Sequence, residues 1–380
     1  MTSNTFCSVL VLMGLIGFSS VSRASESGWT RKANMPTARV ALCACVVDGK
    51  IYAIGGAPRY QVVTPIVEQY DPVTDTWTPK AGMRTARAFF GASVVNGRIY
   101  VVGGSAGPAH LSSCEEYDPV ANTWTDRASM PTARAHLSAV AVGSKLYAIG
   151  GLTKSSSQAL RVVEEYDPIA DAWTRKTDMP AGSGTVFCSA IDGIVYFPGG
   201  GPTGGQGTDQ AVRTVQAYDP AADAWTTLAQ MLTARAFFPT CAMNGKLYAI
   251  GGCQNAYNSS ELLSMEAYDP ATDTWWRMAP MQVKRKALAA AVVNGKIYAI
   301  GGVSQGGWEP TLSTVEEYDP TPTVSIVPSG LILKIFWNGI LESNDTLDGL
   351  SWQDVNPPAY PWLVNPNSAG AMKFYRARGL

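Results

Sequence analysis

The stretch Asp48-Gly49-Lys50-Ile51-Tyr52-Ala53-Ile54-Gly55-Gly56 decides how this chain folds. Ile51 to Ile54 mix β-branched and aromatic side chains that suit a half-buried pleated surface, and Asp48-Gly49 is a two-residue hairpin turn. Before the turn, Leu42, Ala44 and Val46 alternate in a second strand-like run. The stretch therefore predicts a β-hairpin that ends in a twin glycine. Outward from it, the hairpin turn recurs at Asn96-Gly97, Asp192-Gly193, Asn244-Gly245 and Asn294-Gly295. The twin glycine recurs at Gly103-Gly104, Gly150-Gly151, Gly199-Gly200, Gly251-Gly252 and Gly301-Gly302, with a period of 47 to 52 residues.

Each glycine pair is followed by Tyr-Asp-Pro, at Tyr70, Tyr117, Tyr166, Tyr218, Tyr268 and Tyr318. Five of these lead, seven residues on, to Trp77, Trp124, Trp173, Trp225 and Trp275. A repeat of this length with a twin glycine, a tyrosine and a tryptophan resembles the kelch family, whose units are four-stranded propeller blades. The resemblance covers about residues 29 to 320 and implies an all-β fold, a six-bladed kelch β-propeller.

The sixth repeat has Ser325 in the tryptophan position, whereas Trp29 stands six residues before Met35 without a repeat of its own. An N-terminal strand around Trp29 is thus expected to complete the last blade, leaving no unpaired sheet edge where the ends meet. The columns of the repeat are also informative. Leu42, Phe90, Leu137, Val186, Phe238 and Leu288 align, and Ala44, Ala92, Ala139, Cys188, Thr240 and Ala290 follow two places on, which suits a strand near a crowded axis. Cys114 falls in a column of Val67, Val163, Val215, Met265 and Val315, and so reads as core.

Three segments are expected: a signal peptide over 1–24, the propeller over 25–320 and a small C-terminal β-rich module over 321–380. The apolar run Cys7 to Phe18 is too short for a bilayer span and precedes Ser22-Arg23-Ala24, which has small residues where an export peptidase needs them. An apolar N-terminal strand is the other reading of the run. The tail alternates through Leu331-Ile332-Leu333-Lys334-Ile335-Phe336-Trp337 and turns at Asn338-Gly339. It resembles the short β-modules appended to exported bacterial proteins. A folded extension of the propeller fits the same residues.

Composition narrows the function. Formal net charge is -1 and charged residues make up 16 %, so no basic excess drives binding to nucleic acid. The mature chain is expected to lack a transmembrane segment, to be monomeric and to reside outside the cytoplasm, secreted or periplasmic. Its six remaining cysteines permit disulfides there without requiring them.

Four residues after each blade-start methionine stand Arg39, Arg87, Arg134, Arg235 and Arg285, with Ser183 in the fourth repeat. Two residues before each tyrosine stand Glu68, Glu115, Glu164, Glu266 and Glu316, with Gln216 in the fourth. The same repeat has lost both partners, which predicts structural ion pairs between them. In the kelch family, the place after this arginine often faces the central channel. Here it holds Val40, Ala88, Ala135, Gly184, Ala236 and Lys286, a poor lining for acid–base chemistry except near Lys284, Arg285 and Lys286.

Twin glycine to tyrosine takes 15, 14, 16, 19, 17 and 17 residues, whereas the other intervals of the repeat are constant. All length freedom lies in the loops between second and third strands, which share one face with the arginine turns. The candidate binding residues on that rim are Arg59, Tyr60, His110, Lys154, Arg161, Asp209, Tyr257, Glu261, Lys286, Trp308 and Glu309. Exposed aromatic and polar side chains so interleaved suit a protein or a glycan.

No catalytic residue, metal ligand set or cofactor is assigned. His110 and His136 are the only histidines, too few for a histidine-rich metal site, and His136 shares a column with Ala41 and Phe89 that reads as packing. Copper-radical oxidases of the kelch type use two histidines and a tyrosine crosslinked to cysteine, with extra domains that this chain lacks. The sequence holds no phosphate loop and no His-Glu-x-x-His. A non-catalytic binding protein is the expected function. The alternative is a sugar-acid isomerase of the sialic-acid (N-acetylneuraminate) epimerase type, with Arg285 and Lys286 as anion clamp and Glu261 or Asp209 as base.

Overall fold

The computed structural model describes residues 28–59, 61–154, 159–185, 187–201, 210–255 and 260–320 in full. Elsewhere it describes the backbone of Cys7–Val9, Thr323–Ser329, Ile332–Asn338, Ile340–Asn344, Gln353–Val355, Trp362–Val364 and Phe374–Arg378. Six antiparallel four-stranded sheets form the propeller. Blade 1 runs outward through Cys43–Val47, Lys50–Ile54, Val67–Asp71 and Thr76–Lys80. The next four blades repeat that order as far as Thr274–Met278. The chain is a six-bladed propeller, as the repeats predict.

Blade 6 takes Ala289–Val293, Lys296–Ile300 and Val315–Tyr318 from the end of the repeats and its outer strand, Trp29–Lys32, from the beginning. Trp29 lies opposite Tyr318 and Lys32 opposite Val315, the register that Trp77 and Lys80 take against Tyr70 and Val67 in blade 1. The hairpin turns are built as their sequences demand: Asp48 and Gly49 both take positive φ, 49° and 70°, which keeps the right-handed twist of the strands.

Two circles of hydrogen bonds tie each blade to its neighbour. In the outer one, each tryptophan Nε1 donates to a carbonyl at the end of the preceding blade: Trp77 to Ala33, Trp124 to Ala81, Trp173 to Ala128, Trp225 to Thr177 and Trp275 to Ala229. Trp29 donates to Ala279 at 2.9 Å and completes the circle. In the inner one, the second glycine of each pair donates its N–H to the next blade, from Gly56 to Arg87 O round to Gly302 to Arg39 O, at 2.9 to 3.0 Å. A Cβ on Gly55 would stand 2.8 Å from Arg87 O of the next blade and one on Gly56 2.7 Å from Val40 O of its own, so a side chain at either place would break the close packing.

The same aspartate column braces the outer circle. Asp75 Oδ1 accepts from Tyr70 Oη at 2.5 Å and from the Ala33 N–H at 2.8 Å, and Asn122, Asp171, Asp223 and Asp273 repeat the arrangement. Apolar clusters fill the wedges between blades, with Cys43, Cys45, Val67, Phe90, Val101 and Tyr117 in one of them.

Beyond Pro320, Ile332–Asn338 pairs with Thr323–Ser329 and Trp362–Val364, and Ile340–Asn344 pairs with Gln353–Val355 and Phe374–Arg378. Cys7–Val9, inside the stretch expected as a leader, lies antiparallel to the other edge of Phe374–Arg378. Among the described residues no helix is long and apolar enough to cross a membrane.

Candidate functional site

The five arginines are fully buried, and each meets its glutamate: Arg39 to Glu68 at 2.7 Å, Arg87 to Glu115 and Arg134 to Glu164 at 2.5 Å, Arg235 to Glu266 at 2.7 Å, and Arg285 to Glu316. Burial lowers the pKa of Arg39, Arg87, Arg134 and Arg285, and the paired carboxylates oppose it. The guanidinium also spans the base of the variable loop. Arg39 Nη1 donates to Gly55 O and Ile66 O at 2.9 Å, and Arg285 Nη1 donates to Gly301 O and Thr314 O. Both ends of the loop are thereby clamped while its length stays free. In blade 4 the neutral pair takes over: Ser183 Oγ donates to Gly199 O, and Gln216 Oε1 accepts from the Ala181 N–H.

The channel-facing expectation needs correction by one residue. Val40, Ala88, Ala135, Ala236 and Lys286 are buried, bridged to the residue after the twin glycine, as in Val40 with Ala57 and Lys286 with Val303. The next column, Ala41, Phe89, His136, Thr185, Phe237 and Ala287, forms the hub. All six take positive φ, between 50° and 70°. Such a backbone disfavours L side chains, so it persists only where bonding over-determines it. It does so here: each N–H donates to the carbonyl of the same column in the preceding blade, Phe89 to Ala41, His136 to Phe89, Thr185 to His136, Phe237 to Thr185, Ala287 to Phe237 and Ala41 to Ala287, at 2.7 to 3.1 Å. The circle closes on itself.

Aromatic side chains fill this hub. Phe89 stacks on His136 with centroids 4.1 Å apart, and Trp308 meets Phe89 and Phe237 edge-on at 5.4 and 5.3 Å. Below the hub, the inner strands enclose a cavity of about 390 Å³ whose walls, from Ala44 and Val46 round to Val292, carry no charged side chain. A channel lined this way offers no positioned acid or base.

His136 is held neutral in the hub. Its Nδ1 is sealed from solvent, and burial pushes its pKa down to about 3. Unfolded histidine titrates near 6.5, so between these values only the unfolded chain takes up the proton. The contribution is complete above about pH 6.5 and is lost as pH falls toward 3, at up to about 1.4 kcal/mol per unit. A denaturation series from pH 7 to pH 4 should show this loss. His136→Phe, which repeats the residue of Phe89 and Phe237, should flatten the series; an unchanged slope would place the acid sensitivity elsewhere.

The predicted rim residues separate into three groups. Arg59, Lys154, Arg161 and Glu309 are exposed, and His110 and Trp308 are half-buried. His110 Nδ1 lies 3.1 Å from Leu152 O, so that nitrogen carries its proton and Nε2 is left for other contacts. Glu261 and Lys286 are corrected: both are buried, 3.2 Å apart, with Lys286 Nζ 5.4 Å from the Trp308 ring. They support Trp308 from beneath rather than meeting a ligand, because a lysine among apolar neighbours is stable only when paired. Tyr60, Asp209 and Tyr257 lie outside the described residues.

The isomerase clamp also fails on geometry, since Arg285 is fully buried and committed to Glu316. Among the described residues, no group of three histidine, cysteine or acidic side chains is placed to hold a metal. The six described cysteines are free and buried, and burial pushes the thiols of Cys45, Cys114, Cys188 and Cys253 up to about 12. Sequence reasoning missed Phe89 and Phe237 at the hub, although both show aromatic bulk in a column that is otherwise mostly small. It also missed Arg213, which is exposed and occupies the column of Arg161 one blade on.

The Kelch motif model matches residues 38–84, 86–131 and 284–329, and the KLHDC2/KLHL20/DRC7 Kelch-repeats domain matches residues 127–302. This is a kelch-repeat propeller. Among curated proteins, the kelch propeller is 45% identical over 49 residues to the Influenza virus NS1A-binding protein homolog of Mus musculus and 43% identical over 49 residues to homolog B of Danio rerio. Each match spans 13% of this chain and 8% of the relative, about the length of one repeat. The solved structure of YjhT superposes with a TM-score of 0.64 at 15% identity, covering 80% of this chain and 98% of that one. At that identity the likeness concerns the kelch-propeller fold alone.

Proposed function

We propose that this kelch propeller is an exported, non-catalytic binding protein that recognises a protein or glycan outside the cytoplasm through the loops of its rim face. The observation that carries this reading is the hub: Trp308 stands half-exposed among the variable loops, braced by Phe89, Phe237 and the buried Lys286–Glu261 pair. A rigid aromatic with its support already in place loses little entropy on contact, which is how a binding anchor is built. Loops whose ends are clamped by Arg–Glu pairs vary in length without disturbing the scaffold.

Export follows from the apolar run and the cleavage signal after Ala24. In the mature chain, Phe374–Arg378 keeps Ile340–Asn344 as its neighbour when the Cys7–Val9 edge is removed. The C-terminal β-rich module serves as a spacer or a second contact, and the protein acts as a monomer. N-terminal sequencing of secreted protein should begin at Ser25.

The test is a pull-down and glycan-array screen of residues 25–380 beside Trp308→Ala and a version with the rim loops exchanged. Trp308→Ala should weaken partner capture about tenfold or more, the loss of one anchor residue, with little change in melting temperature. A partner retained after loop exchange would contradict the reading.

A further inference from the structure

We infer that the rim face takes an acidic polysaccharide, a chain with regularly spaced carboxylate or sulfate groups; this rests on the binding reading above. The observation is a polarity of charge between the two faces of the disc. On the rim, Arg59, Lys154, Arg161, Arg213 and Lys284 are all exposed, spread from blade 1 to the turn that enters blade 6, against one exposed carboxylate, Glu309, among the described rim-loop residues. Arg161 and Arg213 occupy one column of adjacent blades, and each is fixed through Nε to a backbone carbonyl, of Met179 and Met231. That contact leaves the two terminal nitrogens of each guanidinium for a forked grip on an anion.

The opposite face is acidic. Four of its strand-three turns carry two aspartates each, such as Asp71 with Asp75 and Asp219 with Asp223. Against them five of the six hairpins supply one base, as in Lys50 to Asp71 and Lys145 to Asp167, and blade 4 supplies none, with Ile194 in that place. A net charge near zero therefore conceals a dipole, and its field steers an anion to the rim and away from the other face.

Three features favour a charged glycan over an acidic protein. The cations are shared among the loops of blades 1, 3 and 4 and the turn into blade 6, which suits a polymer of repeated charge. Among the described rim residues, the exposed large apolar side chains, Val62, Ile66 and Leu263, are only 36 to 43 % exposed, which is little apolar surface for the core of a protein interface. Trp308 supplies the aromatic surface on which a sugar ring packs.

The experiment measures binding of residues 25–380 to polygalacturonate, to uncharged dextran and to poly-glutamate, at about 50 mM and about 300 mM salt. Polygalacturonate should bind about tenfold or more tightly than either other probe and weaken at the higher salt. Arg161→Gln with Arg213→Gln should weaken it about tenfold while the melting temperature holds. Equal affinity for poly-glutamate would mean that charge alone is read and would overturn the glycan assignment. Equal affinity for dextran, or an unaffected double variant, would overturn the anionic one. A partner held through Trp308 and the rim loops without Arg161 and Arg213 would sink this inference and leave the binding reading standing. Indifference of every captured partner to the rim loops would remove both.

Discussion

Deleting residues 25–34 should lower the melting temperature of the propeller by about 10 °C or more, or abolish folding. The deletion strips the outer strand from blade 6 and exposes the edge of Val315–Tyr318. It also removes Ala33, whose N–H bonds Asp75 and whose carbonyl accepts from Trp77, so blade 1 loses its brace as well. Trp29→Ala isolates the packing contribution. Trp29 is fully buried, lies 5.2 Å from Tyr318 by ring centroid, and donates to Ala279 O. Its truncation should cost about 3–5 kcal/mol, as for other buried aromatics. A deletion that melts with the parent would show that the strand closes nothing.

Arg134→Met should cost about 3–5 kcal/mol, because it leaves Glu164 charged and buried without its partner. Arg134→Met with Glu164→Gln should be more stable than Arg134→Met alone, since the remaining group is neutral and blade 4 already works with Ser183 and Gln216. A double-mutant cycle read by denaturant unfolding measures the coupling. If the single substitution left stability intact and removed binding instead, the arginine ring would be a ligand grip.

Much of this architecture was legible in the residues because it is repeated. One hairpin with Asp48-Gly49 and Gly55-Gly56 is ambiguous, but six copies in phase define a blade, and the orphan Trp29 then has one place to go. Joint loss at Ser183 and Gln216 pointed to the Arg–Glu pairing for the same reason: a repeat is its own control. The hub was harder to read. Whether column 40 or column 41 faces the axis depends on a backbone turn at positive φ, which Ala41, Phe89 and His136 do not advertise as glycine does. Burial of Lys286 and Glu261 was also hidden, because they come from two consecutive blades and meet only when blade 6 packs against blade 5. The rim loops vary in sequence as well as length, so position there follows from structure and not from pattern.

Hydrogen–deuterium exchange of residues 25–380, with and without a captured partner, tests the central claim most directly, because it reports which face of the disc is covered. Protection is expected in the rim segments 57–66, 105–113, 152–162, 201–214, 253–264 and 303–314, strongest around Trp308, with the hairpin turns at Asp48-Gly49 and Asn294-Gly295 unchanged. Protection centred on those turns and on the Asp-Pro turns of the opposite face, with the rim loops exchanging as in the free protein, would contradict the account.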